Sequence, residues 1–319
     1  MHKLLIALCL SLTATCAFAA DTPVTVAHAT WVGYGPLHIA KELGYFKEQG
    51  LDVNLTIIED ESQYAAALAS GNIDGLGNVI DREVIHFAKG TPETVIFAMD
   101  ESTGGDGVVA AGGIKTVADL KGRTVALDKS STSYFFFLSI LEKNGVKEDE
   151  VNIQEMGASD AGAAFVAGKV DAAVTWEPWL TNAGQREGGH VLISSREMPG
   201  TIVDVFVMND NFMAKYPEAP AKMARAWFKA IEWYKANPAK GDEIMAKAFG
   251  LSAAEVADMA KGVTFKGAAE NLAFVKPGQG GLYAVADRAI RFWKEKGIIE
   301  KDVTAADFVT DKYVVEGAK

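Results

Sequence analysis

Two stretches of the chain repeat one another. Residues 66–76 read AALASGNIDGL and residues 163–173 read AAFVAGKVDAA. Each is a small-residue helix end, then Gly71 or Gly168 as a C-terminal stop, then a short apolar strand carrying Asp74 or Asp171. Upstream, PVTVAHA (23–29) corresponds to GRTVALD (122–128), and each leads through a loop into an apolar-periodic helix, PLHIAKELGYFKEQG or SYFFFLSILEKNG. Both helices end near glycine, Gly50 or Gly145, and are followed by LDVNLTII or VNIQEM. Each half therefore reads β-loop-α-β-α-β. Parallel strands of that kind need crossover helices, so the fold class is α/β, with two sheets and two lobes.

The lobes join where strands cross between them. TVIFAMDESTGGDGVVAAGG (94–113) is a strand, a glycine-rich break and a second strand, and SSREMPGTIVDVFVMNDNF (194–212) is a matching return. A lobe inserted between these crossings leaves two connecting segments and a cleft. The expected division is residues 20–107 plus 206–319 for lobe 1 and 108–205 for lobe 2. After Asn211 the chain turns helical. Met223, Trp227, Ile231 and Tyr234 follow helical spacing, a stripe that reads as packing rather than ligand contact.

The first residues set the expected compartment. Lys3, the apolar run Leu4 to Leu12 and the small-x-small site Ala17-Phe18-Ala19 read as a secretory signal peptide over residues 1–19, cut after Ala19. A membrane anchor needs about 20 apolar residues, and this run is shorter. Cys9 and Cys16 both lie in the segment to be removed, so the mature chain carries no thiol and relies on its core. Without Lys3 it holds 30 Lys+Arg against 42 Asp+Glu, a net charge of −12. That balance argues against nucleic acid and anionic lipid as partners.

Several ordered blocks resemble the periplasmic solute-binding proteins of ABC importers, in the group handling nitrate, sulfonates, taurine and thiamine precursors. They are WVGYGPLHIAKELGYFKEQGLDV, LASGNIDGLGNVIDREV, DLKGRTVALDKSSTSYFFFLSILEKNGV, FVAGKVDAAVTWEPWL and TIVDVFVMNDNF. The resemblance covers nearly all of the mature chain. It implies a bilobal periplasmic-binding-protein fold of type II with two hinge crossings and a helical C-terminal region. It also implies a ligand between the lobes, and delivery by a periplasmic monomer to an inner-membrane permease.

Ligands of open α/β sheets bind beyond the carboxyl ends of the strands, so the strand-end loops are where site residues are sought. Trp31 and Tyr34, in the loop after the first strand, can face a ligand or tuck onto the core. Asp81, at a helix start, can cap that helix. The resemblance implies instead a ligand-facing position, where relatives commonly present a hydroxyl to an oxyanion; a carboxylate there would repel one. Asp106 lies between glycines, which serve close approach or turning alike, and by resemblance matches an acid that taurine-type relatives use for an ammonium. Asp204, a lone charge in an apolar run, must be paired, meet a ligand or face solvent; by resemblance it sits at the cleft mouth. Glu177 stands between Trp176 and Trp179. Ser131 and Ser133, in the hydroxyl-rich start DKSSTSY, can hold an oxyanion, or Ser131 or Thr132 can simply cap the helix.

Four acids, Asp81, Asp106, Glu177 and Asp204, facing one pocket cannot comfortably stay ionised without a cation. Indoles beside them suit cation–π recognition of a small nitrogenous cation such as guanidinium. A taurine-like aminosulfonate, gripped by Ser131 and Ser133 at one end and Asp106 and Asp204 at the other, is the second expectation. Nitrate, bicarbonate or an alkanesulfonate is the third. Catalysis is not expected: His28, His38, His86 and His190 are dispersed without metal-site spacing, and no nucleophile elbow or P-loop occurs. No cofactor or metal is expected either. Closure would come from a ligand bridging Trp31 and Asp81 to Trp176 and Glu177.

Overall fold

The computed structural model describes residues 20–278 and 280–319; the expected export segment, residues 1–19, lies outside the described residues. The first strands are β1 (Thr22–His28), β2 (Leu51–Ile57), β3 (Gly75–Val79) and β4 (Glu93–Ser102). They are followed by β5 (Asp106–Ala111), β6 (Thr124–Leu127), β7 (Asn152–Glu155), β8 (Ala172–Trp176) and β9 (Gly189–Ser194). β10 (Val203–Asn209) and β11 (Val263–Phe265) complete the set. They form two sheets, a six-stranded one in the order β11-β4-β10-β3-β1-β2 and a five-stranded one in the order β7-β6-β8-β5-β9.

The repeat is visible in the ladders. β1 runs parallel between β2 and β3, and β6 runs parallel between β7 and β8. The aspartates of the repeated motif do the same work in each. Asp74 Oδ2 accepts the Thr25 N–H at 2.8 Å, and Asp171 Oδ2 accepts the Thr124 N–H at 2.9 Å. Each aspartate thus takes up a donor at the base of its central strand, which a buried ladder end would otherwise leave orphaned. Gly71 and Gly168 follow the two preceding helices at φ 72° and 70°. That left-handed geometry ends a helix and favours glycine.

Two crossings join the sheets. β4 passes into β5 through Thr103-Gly104-Gly105, and β9 returns to β10 through residues 195–202. Strand pairing divides the chain a few residues away from the expected limits. Asp106 and Gly107 pair with Trp176 and Thr175 in the second sheet, whereas Val203 to Val205 already pair with β4 in the first. The glycine pair ends the first ladder as soon as β4 does, and the return strand finds its partner immediately after the loop.

The helical C-terminal region covers the first sheet. In the helix Ala219–Ala236, Met223, Trp227, Ile231 and Tyr234 are buried. Trp227 stacks on Phe97, which stacks on Phe206, with ring centroids 5.7 and 5.1 Å apart. Each such fully buried aromatic contributes roughly 1.5–3 kcal/mol over leaving it in water. The expected stripe is packing. The helix Gly281–Glu295 is tied to its own lobe by Trp293, which donates to the carbonyl of Asp81 at 3.1 Å, and it touches the other lobe through Phe292, whose ring packs on Phe135 at 4.9 Å. No helix among the described residues is long and apolar enough to cross a membrane.

Candidate functional site

The two parallel strand triplets point their carboxyl ends at each other, and a partly open cavity lies between them. Trp31, Tyr34, Glu61, Asp106, Thr132, Trp176 and Asp204 line it, with Ala29, Val79 and Ile202 filling the gaps. The cavity holds about 300 Å³, at the small end of the range for ligand pockets, and suits a small solute.

The aromatic walls are held from both lobes. Trp31 precedes the short turn Val32–Tyr34 and donates to Asp100 Oδ1 at 3.3 Å. Its ring rests on Gly105, where a Cβ would meet Trp31 Cη2 at 2.3 Å, so the hinge passes close beneath the indole only because that residue has no side chain. Trp176 closes the opposite wall and donates its indole N–H across the cleft to the carbonyl of Thr30 at 3.3 Å. A second cross-cleft bond runs from Thr132 Oγ1 to Asp81 Oδ1 at 2.9 Å.

The acids are buried, and burial is the chief cause of each shift. It pushes Asp106 up to about 8, with the charges of Asp204, Glu177 and Asp81 adding to the rise and a hydrogen bond from Ser102 opposing it. Burial pushes Asp81 up to about 6, against the pull of Arg82 and the Thr132 bond. Glu61 is raised well above the glutamate range by burial, again opposed by Arg82. Asp204 and Asp100 are paired in the β10–β4 register, and two buried carboxyls so placed cannot readily both ionise. Both are raised, by burial first, and Tyr34 donates its hydroxyl to Asp204. Among the described residues, no basic side chain lines the cavity. Arg82 acts on Glu61 and Asp81 from behind, and Lys266 acts on Asp100 while paired with Glu101 at 3.4 Å.

Five of the sequence-derived residues thus meet in one cavity: Trp31, Tyr34, Asp106, Trp176 and Asp204. Asp81 backs the wall through Thr132, with its Oδ2 buried and unpartnered. The remaining three lie elsewhere. Glu177 turns to the helix Trp179–Gly184, accepting from the Thr181 N–H at 3.0 Å and hydroxyl at 2.7 Å. Ser131 caps the helix Thr132–Lys143 by accepting from the Ser133 N–H at 3.3 Å. Ser133 Oγ is buried without a partner but does not line the cavity. On the outer side of Trp176, a second surface cavity between the lobes carries Glu59, Asp60, Asp128, Glu155 and Asp160 around Trp179, with no basic lining residue among the described residues.

Sequence reasoning missed Glu61 and Asp100, and saw Thr132 only as a helix cap. Asp100 follows the apolar run 95–99 in the segment that crosses the hinge, but, with Glu101 beside it, it does not stand alone as Asp204 does. Glu61 sits in the run Glu59-Asp60-Glu61, and only tertiary packing selects which of three adjacent acids turns inward.

Known proteins agree with this geometry at the level of fold and family. Residues 31–241, more than half of the chain, match the family described as NMT1/THI5 like. A protein of Brucella abortus named as a binding protein is 27% identical over 97% of this chain and 98% of its own. The taurine-binding periplasmic protein of Escherichia coli is 27% identical over 76% of this chain and 78% of its own. The crystal structure of the periplasmic aliphatic sulphonate binding protein SsuA from Escherichia coli superposes with a TM-score of 0.76 at 20% identity, covering 92% and 99% of the two chains. A desulfurization enzyme, DSZB, shares the fold more distantly, with a TM-score of 0.65 at 13% identity and coverage of 92% and 98%. With its two α/β sheets, its paired crossings and its family match, the chain has the periplasmic-binding-protein fold and belongs to the NMT1/THI5-like family.

Proposed function

We propose that this protein is the periplasmic solute-capturing subunit of an ABC importer, and that its solute is a small planar nitrogen cation of the guanidinium type. The observation that carries the reading is the cavity itself, with Glu61, Asp106 and Asp204 set among Trp31, Tyr34 and Trp176 and, among the described residues, no basic lining residue. A guanidinium ion presents N–H donors around its rim and two flat faces. Its rim suits carboxylates, through charge-assisted hydrogen bonds. Its faces suit indoles, through cation–π attraction. The acid-lined surface cavity on the outer side of Trp176 would concentrate cations beside the site.

The bound ion would bridge Trp31 and Asp204 on one side to Asp106 and Trp176 on the other, stabilising the closed form that docks on the permease. Asp81 and Thr132 hold the two halves together behind it. Glu177 then acts on the site only through its charge, since its oxygens serve Thr181. The protein works as a monomer and releases its cargo unchanged. Incubation with candidate solutes should give stoichiometric capture and no turnover.

One relative favours a second reading. The Escherichia coli protein named for taurine is 27% identical over most of this chain, and taurine carries both an ammonium for Asp106 and a sulfonate. Against it stand the small cavity, the absence of a basic lining residue among the described residues and the use of Ser131 as a helix cap. Titration calorimetry on the chain from residue 20 onward separates the readings. Guanidinium should bind tightly, and Asp106→Asn should weaken it at least about tenfold, or 1.4 kcal/mol. Taurine binding more tightly than any cation would establish the second reading. Tight nitrate binding with no cation response would discard both.

A further inference from the structure

Outside the cleft, the first lobe buries a second group of ionisable side chains. Glu83 and His86 lie one turn apart on the helix Ile80–Ala88, and the short loop that follows returns the chain so that Glu93, the first residue of β4, meets them. One ligand atom from each lies within 4.8 Å of the others, and His86 Nδ1 is 3.2 Å from Glu83 Oε1. Glu83 and Glu93 are fully buried, while the His86 side chain remains slightly exposed at 11%. Asn78 donates to Glu83 Oε1. Glu83 Oε2 and both Glu93 oxygens are buried without a hydrogen-bond donor among the described residues. Another negative charge lies nearby, Asp210, held by the Thr94 hydroxyl at 2.7 Å.

Two buried carboxylates in contact with an imidazole, with no lysine or arginine paired to them among the described residues, need a positive charge. The alternatives are a proton, on the imidazole or between the carboxyls, or a metal ion. We propose that Glu83, His86 and Glu93 form a binding site for one divalent transition-metal ion of the zinc class. One imidazole nitrogen with two carboxylate oxygens is a borderline ligand set, suited to zinc and its neighbours rather than to calcium or magnesium, which favour all-oxygen shells. Three protein ligands leave a fourth position for water, and the partly exposed His86 edge gives the ion a way in. Asn78 supplies the outer hydrogen bond that fixes the Glu83 carboxylate. This site is separate from the cleft, where Asp81 turns the other way from the same helix toward Thr132.

The test is zinc titration of chelator-stripped protein by calorimetry and by competition with a chromophoric chelator. One ion per chain should bind at micromolar concentration or below and raise the melting temperature. Glu93→Gln and His86→Gln should each weaken binding by more than about tenfold and remove the thermal shift. Glu93→Gln replaces a buried acid with its neutral isostere, so its fold is checked by unchanged guanidinium or taurine binding. His38→Gln guards against the other close imidazole pair, His28 and His38, whose Nε2 atoms lie 3.1 Å apart, and should leave zinc affinity unaltered. Absent stoichiometric binding, an effect confined to His38→Gln, or preference for calcium or magnesium would each overturn the assignment in favour of a proton.

Discussion

The two β-α-β-α-β triplets, residues 22–79 and 124–176, are the same scaffold with different loops. Both centre on one strand flanked by two parallel partners, end their second helix on a left-handed glycine, and tie the central strand with an aspartate. At the cleft they diverge. The loop after the central strand is aromatic in the first triplet, with Trp31 and Tyr34, and hydroxyl-rich in the second, with Ser131 and Thr132. The third strand ends on Val79, two residues before Asp81, in one and on Trp176 in the other. The divergence is reciprocal: Thr132 of the second half donates to Asp81 of the first, and Trp176 of the second donates to Thr30 of the first. Duplication supplies two facing platforms. Divergence at matched positions makes them complementary, and that is what lets them close on each other.

That comparison can be strained at several points. The largest expected effect is on recognition. Trp176→Ala removes both a cavity wall and a cross-cleft bond, and should cut guanidinium affinity about 100-fold, or 2.7 kcal/mol, by calorimetry. An unchanged affinity would mean that the second half contributes no aromatic recognition. Next come the scaffold ties. Asp74→Ala and Asp171→Ala should each lower stability by about 1–3 kcal/mol in denaturant unfolding, with little change in affinity. A neutral result at one alone would end the equivalence of the halves.

The cleft acids predict a pH-linked effect whose sign follows from their shifts. Asp81 and Asp106 are raised to about 6 and about 8, above their ordinary 3.8. The folded protein therefore holds protons that the unfolded chain gives up. This contribution to ligand-free stability is complete below about pH 4 and is lost as pH climbs through the two raised values. Thermal unfolding across that window should show the decline. Cation affinity should rise over the same range, because the ligand needs the ionised acids. Thr132→Val should weaken capture by about fivefold, near 1 kcal/mol, through loss of the Asp81 bond. Smallest of all, Glu177→Gln should change affinity less than about threefold, since Thr181 already holds that carboxylate. A large loss there would return Glu177 to the cavity.

Much of the fold was legible because periodicity and helix stops are local. Gly71 with Asp74 and Gly168 with Asp171 marked the same element junctions, and the glycine-broken strand at 94–113 marked the first crossing. The site was legible where a residue violated its surroundings. Asp204 in an apolar strand and Trp176 before a proline drew notice, and Asp100 would have done so had the pairing of the crossing strands been read through. Glu61 could not be separated from Glu59 and Asp60, because all three share one loop and one chemistry. Glu177 misled for the converse reason: an acid between indoles stands out, yet its nearest donors belong to the next turn of its own chain.

By itself the sequence determined the repeated α/β units, their two crossings, the helical tail and the acidic, aromatic character of the strand-end loops, all of which rest on spacing along the chain. Only the tertiary structure decided which acids share a cavity, which cap helices, and that Glu93 meets Glu83 and His86. Those outcomes depend on burial and on distances between residues far apart or differently oriented. Burial turns an ordinary carboxyl into one that must hold a proton or a cation, and no local pattern encodes it.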